Sequence, residues 1–220
     1  MTDCTDKIYR NAGNLALLQL IPSHTRVLDC GCGAGDNARL LQARGSRVVG
    51  ITISPDEQAS ASAYCERAYL ADLEQGLPQE IGGGFDIILL SHVLEHLRHP
   101  ERVLQDARRL LAPDGMLAVA LPNVLAYSNR CKFLAGSFEY TSGGVMDETH
   151  VRFYTFASGK RLLVENGYTV VTALAEGAFP LWKVRNILPA RSVQWINRWA
   201  CQHWPGLFGA QSLYLARSKT

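Results

Sequence analysis

Short apolar runs alternate with amphipathic stretches along most of this chain. Arg26–Cys30, Ser46–Ile51, a shorter piece around Arg67–Leu70, Phe85–Leu90 and Met116–Leu121 have the length and content of strands. Phe85–Leu90 reads as a continuous apolar run, as a central strand buried on both faces requires. Tyr168–Leu174 and Ser212–Ala216 follow as two later strands. Helical patterns separate these runs. One around Lys7–Leu20 ends before Pro22, and Asp36–Arg44 is stopped by Gly45. Leu97–Leu111 ends at the turn Pro113-Asp114-Gly115, and Ser158–Asn166 precedes the sixth strand. Ser54-Pro55-Asp56-Glu57 opens another helix, with an N-cap serine, proline at the first helical position and Glu57 placed to complete a capping box.

Strand and helix in alternation predict an α/β fold: a doubly wound, mostly parallel seven-stranded sheet in a three-layer αβα, Rossmann-like arrangement. At 220 residues the chain is expected to be a single domain, 1–220, with a sizeable core. Two connections are too long for plain links, and ordered loops of that length are usually lids or binding surfaces. Residues 122–156 are therefore expected to form a lid, and residues 177–211 an insertion before the last strand.

Composition narrows the class. With 47% hydrophobic and 19% charged residues the chain matches a soluble globular protein and not a disordered one. Its first residues are polar and acidic where a signal peptide would be basic and then apolar, and no apolar run reaches membrane-spanning length. Six cysteines (4, 30, 32, 65, 131, 201) form neither a disulfide scaffold nor a zinc knuckle, which points to a reducing, cytoplasmic setting. The net charge of +2 hides an asymmetry: from Gly177 onward there are six basic residues, no acid and all four tryptophans.

The stretch Asp29-Cys30-Gly31-Cys32-Gly33-Ala34-Gly35 carries the most chemistry. Glycines serve where a turn is too tight for a Cβ and where backbone must approach a ligand closely. A strand stopping at such a loop and followed by a helix N-terminus puts a ligand at the carboxyl edge of a parallel sheet. Gly33–Ala38 satisfies the loose dinucleotide pattern, so an NAD(P) enzyme is one reading. Against it, Asp29 and Asp36 flank the loop, and two carboxylates repel a pyrophosphate. Asp29 suits a ligand bearing an ammonium and a sulfonium.

The D-x-G-x-G-x-G spacing from Asp29 to Gly35 resembles motif I of the class I S-adenosylmethionine-dependent methyltransferases. That resemblance implies a sheet order of 3-2-1-4-5-7-6 with strand seven antiparallel, and S-adenosyl-L-methionine as cofactor. It also implies that Gly31, Cys32, Gly33 and Gly35 pass close to the methionine part while Asp29 helps to position it. Thr52 and Ile53 end the second strand in the ribose region. Most members have an acid where Thr52 stands, and a hydroxyl there is also found in cyclopropane-synthase-like relatives. Ala71-Asp72-Leu73 looks like the adenine motif, with Asp72 accepting from the exocyclic amine and Leu73 packing on the ring. Ser91 and His92 would reach the sheet edge beside the transferable methyl. The closest likeness is to small bacterial surface-glycan and ubiquinone-O-methyltransferase-like members.

His92-Val93-Leu94-Glu95-His96 satisfies H-x-x-E-H, but a zinc peptidase needs that motif on a helix, and here it directly follows a strand. Ubiquinone-type O-methyltransferases carry E-x-x-E-H at this place, which can hold a divalent ion. His92 replaces the first Glu, so no metal is expected, and Glu95 would cap or pair while His96 packs beneath the cofactor. The segment Gly136–Tyr140 and Asp147–Thr155 resembles the G-x-F-x-Y…D-x-T-H-x-R-F-x-T stretch of the glycan-associated members. His150 and Arg152 alternate, so in an extended piece both would face one side. They would then either contact the acceptor, with Tyr154 and Asn123, or anchor the lid. His150 is the first candidate general base and His92 the second.

The expected function is in-line methyl transfer, giving an O-methyl product on a small-molecule or glycan acceptor. An NAD(P) enzyme or a non-catalytic cofactor-binding partner are the alternatives. In the basic segment, Trp195, Ile196 and Trp199 share helical spacing, with Arg191, Gln194 and Arg198 expected on the opposite side. That apolar face would cover the sheet or pocket; alternatively residues 182–204 would rest on an anionic membrane. Nucleic acid is not an expected partner, because the charges form no dense stripe.

Overall fold

The computed structural model describes residues 12–219. Seven strands form one sheet: β1 (Arg26–Cys30), β2 (Arg47–Thr52), β3 (Arg67–Leu70), β4 (Phe85–Ser91), β5 (Leu111–Pro122), β6 (Tyr168–Gly177) and β7 (Gly209–Ser218). Their order is β3-β2-β1-β4-β5-β7-β6, with β7 antiparallel to both neighbours and every other pair parallel. Parallel neighbours require crossovers, supplied here by helices α2 (Asp36–Gln42), α3 (Pro55–Ala61) and α4 (Pro100–Leu110). Helix α1 (Leu15–Leu18) lies ahead of β1, and α6 (Phe156–Glu165) ahead of β6. The predicted helix at Lys7–Leu20 falls partly outside the described residues.

β4 shows why the sheet sits in the middle. Ile88 and Leu90 join one apolar layer, with Val103, Leu104 and Leu163. Ile87 and Leu89 join the other, with Leu17, Ala38 and Leu41. Two-residue alternation with both sets apolar is what burial on both faces demands.

Several boundaries move for local reasons. Helix α4 starts at Pro100 and not Leu97, because proline disfavours a helical conformation at the residue before it. Leu94–His96 forms a separate 3₁₀ turn. The Pro113-Asp114-Gly115 turn falls inside β5, where the register jumps from Phe85↔Leu111 to Ile87↔Met116 as a bulge. Helix α6 begins at Phe156 because Thr155 and Ser158 form a reciprocal capping box. The capping box expected at α3 is only half formed. Ser54 Oγ accepts from Glu57 N at 3.5 Å, but the Glu57 carboxylate instead accepts from Thr52 Oγ1 at 2.6 Å.

The two long connections carry structure of their own. Between β5 and α6 lie helix α5 (Tyr127–Leu134) and two isolated bridges, Asn123↔Tyr154 and Thr141↔Asp147. Between β6 and β7 lie a 3₁₀ turn (Trp182–Asn186), helix α7 (Ala190–His203) and helix α8 (Pro205–Phe208). The expected burial of Trp195 and Trp199 is overturned: both are exposed, beside exposed Arg191 and Arg198, while Ala200 and Cys201 face inward. Small residues let α7 approach β6 closely, so the bulky rings take the outer face.

Gly35 has a φ of +91°, and a Cβ there would stand 3.0 Å from Ala61 Cα, a backbone atom that cannot swing aside. Gly35→Ala is therefore expected to cost about 2 kcal/mol or more, read as a lowered midpoint in chemical unfolding.

Candidate active site

The loop after β1 turns back at once, with Gly31 N and Cys32 N both donating to Ile51 O at 2.9 and 2.8 Å. Gly31 adopts a φ of +74°, and a Cβ on it would collide with Val93 Cγ2 at 2.6 Å. The turn opens onto a cavity of about 830 Å³ at the carboxyl ends of the central strands. Its walls are Gly31, Cys32 and Gly33 from the loop, Asn14 and Asn37, then Ser91, His92, Glu95 and His96 after β4. Val145, Asp147 and His150 from the β5–α6 segment close one side, and Glu176, Gly177 and Gln211 from β6 and β7 another. That volume accommodates a cofactor of nucleoside size together with part of an acceptor.

Asp29 lies at the end of β1 just before this loop, fully buried. Neither carboxylate oxygen has a hydrogen-bond partner. Burial alone pushes its pKa up from 3.8 to about 7. A buried charge of this kind calls for a cation or donors.

A second polar group gathers around Glu95, which is also fully buried. Its Oε1 lies 3.2 Å from His92 Nδ1 and 4.0 Å from His150 Nε2, while its Oε2 has no hydrogen-bond partner. His92 is held by oxygen acceptors on both ring nitrogens, the other being Gln211 Oε1 at 2.9 Å. Both nitrogens therefore carry protons. Burial opposes that charge, but the hydrogen bond and negative charge of Glu95, aided by Gln211, hold the His92 pKa above the usual imidazole value. Its φ of +57° is uncommon for a side chain with a Cβ.

His150 Nδ1 donates to the Val145 carbonyl at 3.1 Å, which can only accept, and its Nε2 faces Glu95 Oε1 at 4.0 Å. The Thr149 hydroxyl donates to Asp147 Oδ1 at 2.7 Å, so it accepts from His96 Nδ1 at 3.1 Å. Burial, with His150 nearby and against the pull of Glu95, lowers the His96 pKa. Glu95, His96 and His150 each offer one ligand atom, all within 4.8 Å of one another. One carboxylate oxygen and two imidazole nitrogens are a donor set that fits a divalent ion such as zinc. The orphaned Glu95 Oε2 fits it as well.

Among the residues singled out from the sequence, Gly31, Cys32, Gly33, Ser91, His92 and His150 meet at this cavity. Others lie elsewhere. Gly35 packs against Ala61, and Thr52 is buried with its hydroxyl given to Glu57. Ile53 is exposed, while Asp72 accepts from Glu74 N and so caps the turn in which Leu73 is buried. Asn123 is fully buried and donates to the carbonyls of Gly206 and Gly209, pinning the end of β5 to α8 and β7. Tyr154 joins the core, where burial pushes its phenol up to about 12.

Arg152 departs from its expected place beside His150. Val151 N and Arg152 N both donate to Glu95 O, which bends the backbone and breaks the two-residue alternation. His150 consequently enters the cavity, whereas Arg152 turns out and donates to the Arg98 carbonyl. Gln211, Asn14 and Glu176 were not singled out from the sequence. Gln211 accepts from Asn14 Nδ2 at 3.0 Å and donates to Glu176 Oε2, which orients the amide toward His92. A polar residue ahead of the apolar stretch in β7 was its only sequence signal.

A family model described as a methyltransferase domain matches residues 5–173. The chain is 29% identical over 153 residues to a ubiquinone biosynthesis O-methyltransferase of Psychrobacter arcticus, covering 66% of this chain and 59% of that protein. It is 33% identical over 120 residues to the protein of that name from Rhodopseudomonas palustris, covering 53% and 46% respectively. The chain thus spans about half the length of these relatives. In fold it resembles an S-adenosylmethionine-dependent methyltransferase from Archaeoglobus fulgidus, with a TM-score of 0.63, 20% identity and coverage of 93% of this chain and 92% of that one. A Mesorhizobium loti structure of the same description gives a TM-score of 0.59 at 17% identity, covering 92% and 96%.

The raised pKa of Asp29 sets a pH dependence with a definite sign. Stability is fully present below about 3.8, where the unfolded carboxyl is still protonated, and falls as pH rises toward about 7, the folded value. Without added ligand, urea unfolding should show the wild type losing a few kcal/mol across this window relative to Asp29→Asn.

Proposed function

The chain belongs to the methyltransferase-domain family, and from that premise we propose that it is a class I S-adenosylmethionine-dependent methyltransferase acting on an oxygen of a small-molecule or sugar acceptor. One observation carries this reading. The partnerless, fully buried carboxylate of Asp29 leads into a glycine loop that lines the same cavity as His150. A pyrophosphate would be repelled there, whereas a ligand with an ammonium and a sulfonium supplies the missing positive charge. The O-methyltransferase activity named for the sequence relatives supports oxygen as the accepting atom.

When bound, S-adenosylmethionine supplies a methyl already activated by its sulfonium. The chain's own residues then have four tasks. Gly31 and Gly33, on either side of Cys32, give backbone without a Cβ where a ligand can approach. Asp29 ionises as positive charge arrives, releasing its proton. His150 Nε2 takes the proton of the acceptor hydroxyl, and the Glu95 carboxylate 4.0 Å away stabilises the resulting imidazolium. His92 already holds a proton on each nitrogen, so it serves as a fixed cation that orients Glu95 and not as a base.

A second reading rests on the Glu95, His96 and His150 donor set. These residues would hold a divalent ion, which supplies Lewis-acid activation of an acceptor oxygen when bound.

Isothermal calorimetry tests the cofactor assignment. S-adenosylhomocysteine should bind more tightly as pH rises through about 7 and release a proton, and Asp29→Asn should flatten that dependence. NADH binding with no response to S-adenosylhomocysteine would overturn it. For the base, His150→Gln should lower kcat about 10²- to 10⁴-fold while leaving the S-adenosylhomocysteine affinity unchanged. Treatment of the wild type with EDTA should leave kcat intact if His150 is a base, and abolish turnover if the metal reading holds.

A further inference from the structure

The insertion between β6 and β7 turns its apolar bulk outward. On α7, Arg191, Trp195, Arg198, Trp199 and Gln202 recur at helical spacing and are all exposed, so one face carries both cations and indoles. Trp182 is 80% exposed and Ile187 82% exposed, and Val184 between them is exposed as well. Trp195 and Trp199 stack with centroids 6.4 Å apart, and Trp199 meets Trp204 edge-on at 5.2 Å. Arg191 and Ser192 rim a shallow hollow of about 440 Å³ backed by Trp195 and Ile196. None of these residues lines the candidate active site, so the catalytic reading does not account for them. Water-exposed indole and aliphatic surface on this scale marks an interaction face.

We infer that the outer face formed by residues 182–204 docks on an anionic phospholipid surface. Charge selects the occupant. The face presents Arg191 and Arg198, and residues 182–204 contain no acid. An isologous contact with a second copy would therefore set cations against cations. A polyanionic nucleic acid offers nothing to Val184 and Ile187, whereas a bilayer takes aliphatic side chains into its acyl boundary and tryptophans at headgroup level. Arg191 and Arg198 then meet lipid phosphates, with the hollow beside Arg191 receiving one headgroup. The inference is independent of the methyl-transfer reading.

Sedimentation of the purified chain with vesicles tests it. Binding is expected to phosphatidylcholine vesicles containing phosphatidylglycerol and not to phosphatidylcholine alone, with a blue shift of tryptophan fluorescence and release by added salt. The double variants R191E/R198E and W195A/W199A should each lower partitioning about tenfold or more, while their thermal midpoints and S-adenosylhomocysteine titrations match the wild type. Three results would overturn the inference: no vesicle binding, equal binding to neutral vesicles, or a dimer in solution that W195A/W199A dissociates. Tighter binding to an RNA homopolymer than to the anionic vesicles would do the same.

Discussion

Glu95 holds the candidate active site together from two of its parts at once. Its carboxylate, removed from water, is charge-paired with His92 at the end of β4 and lies beside His150. Its main-chain carbonyl accepts from Val151 and Arg152, the residues just after His150. A buried carboxylate is costly unless its partners are well placed. Here the partners come from the sheet edge and from the long segment after β5, so meeting that cost fixes the position of one relative to the other. His150 reaches the cavity because Glu95 bends the backbone beside it.

Behind the glycine loop the electrostatics are left incomplete. His92 already has Glu95 and Gln211, but Asp29 has burial and no partner. The two carboxylates thus stand in different states: Glu95 has its charge met within the protein, while Asp29 stays poised between protonated and ionised near neutral pH.

The centre of the sheet was legible in the sequence because β1, β2 and β4 are largely buried and read as short apolar runs. The loop after Asp29 was legible for a different reason, since glycine adopts its positive φ values without strain. The rest depended on contacts between distant residues. Nothing local says that Gln211 meets His92 across 119 positions, or that the bend at Val151 parts His150 from Arg152. Thr52 was read as facing a ligand, yet its hydroxyl is given to Glu57, five residues on. On α7 the periodicity was recognisable but its orientation was not. Hydrophobicity argued for burying Trp195 and Trp199, whereas the tight approach to β6 selects Ala200 and Cys201.

Helix α5, the two bridges, and His150 with its Val145 anchor all belong to one stretch between the end of β5 at Pro122 and the start of α6 at Phe156. The glycine turn and Asp29 belong to none of it. Such a division makes the stretch a separate unit tied to the sheet edge by two amide hydrogens on the Glu95 carbonyl, so its sequence can change while the glycine turn and Asp29 stay where they are.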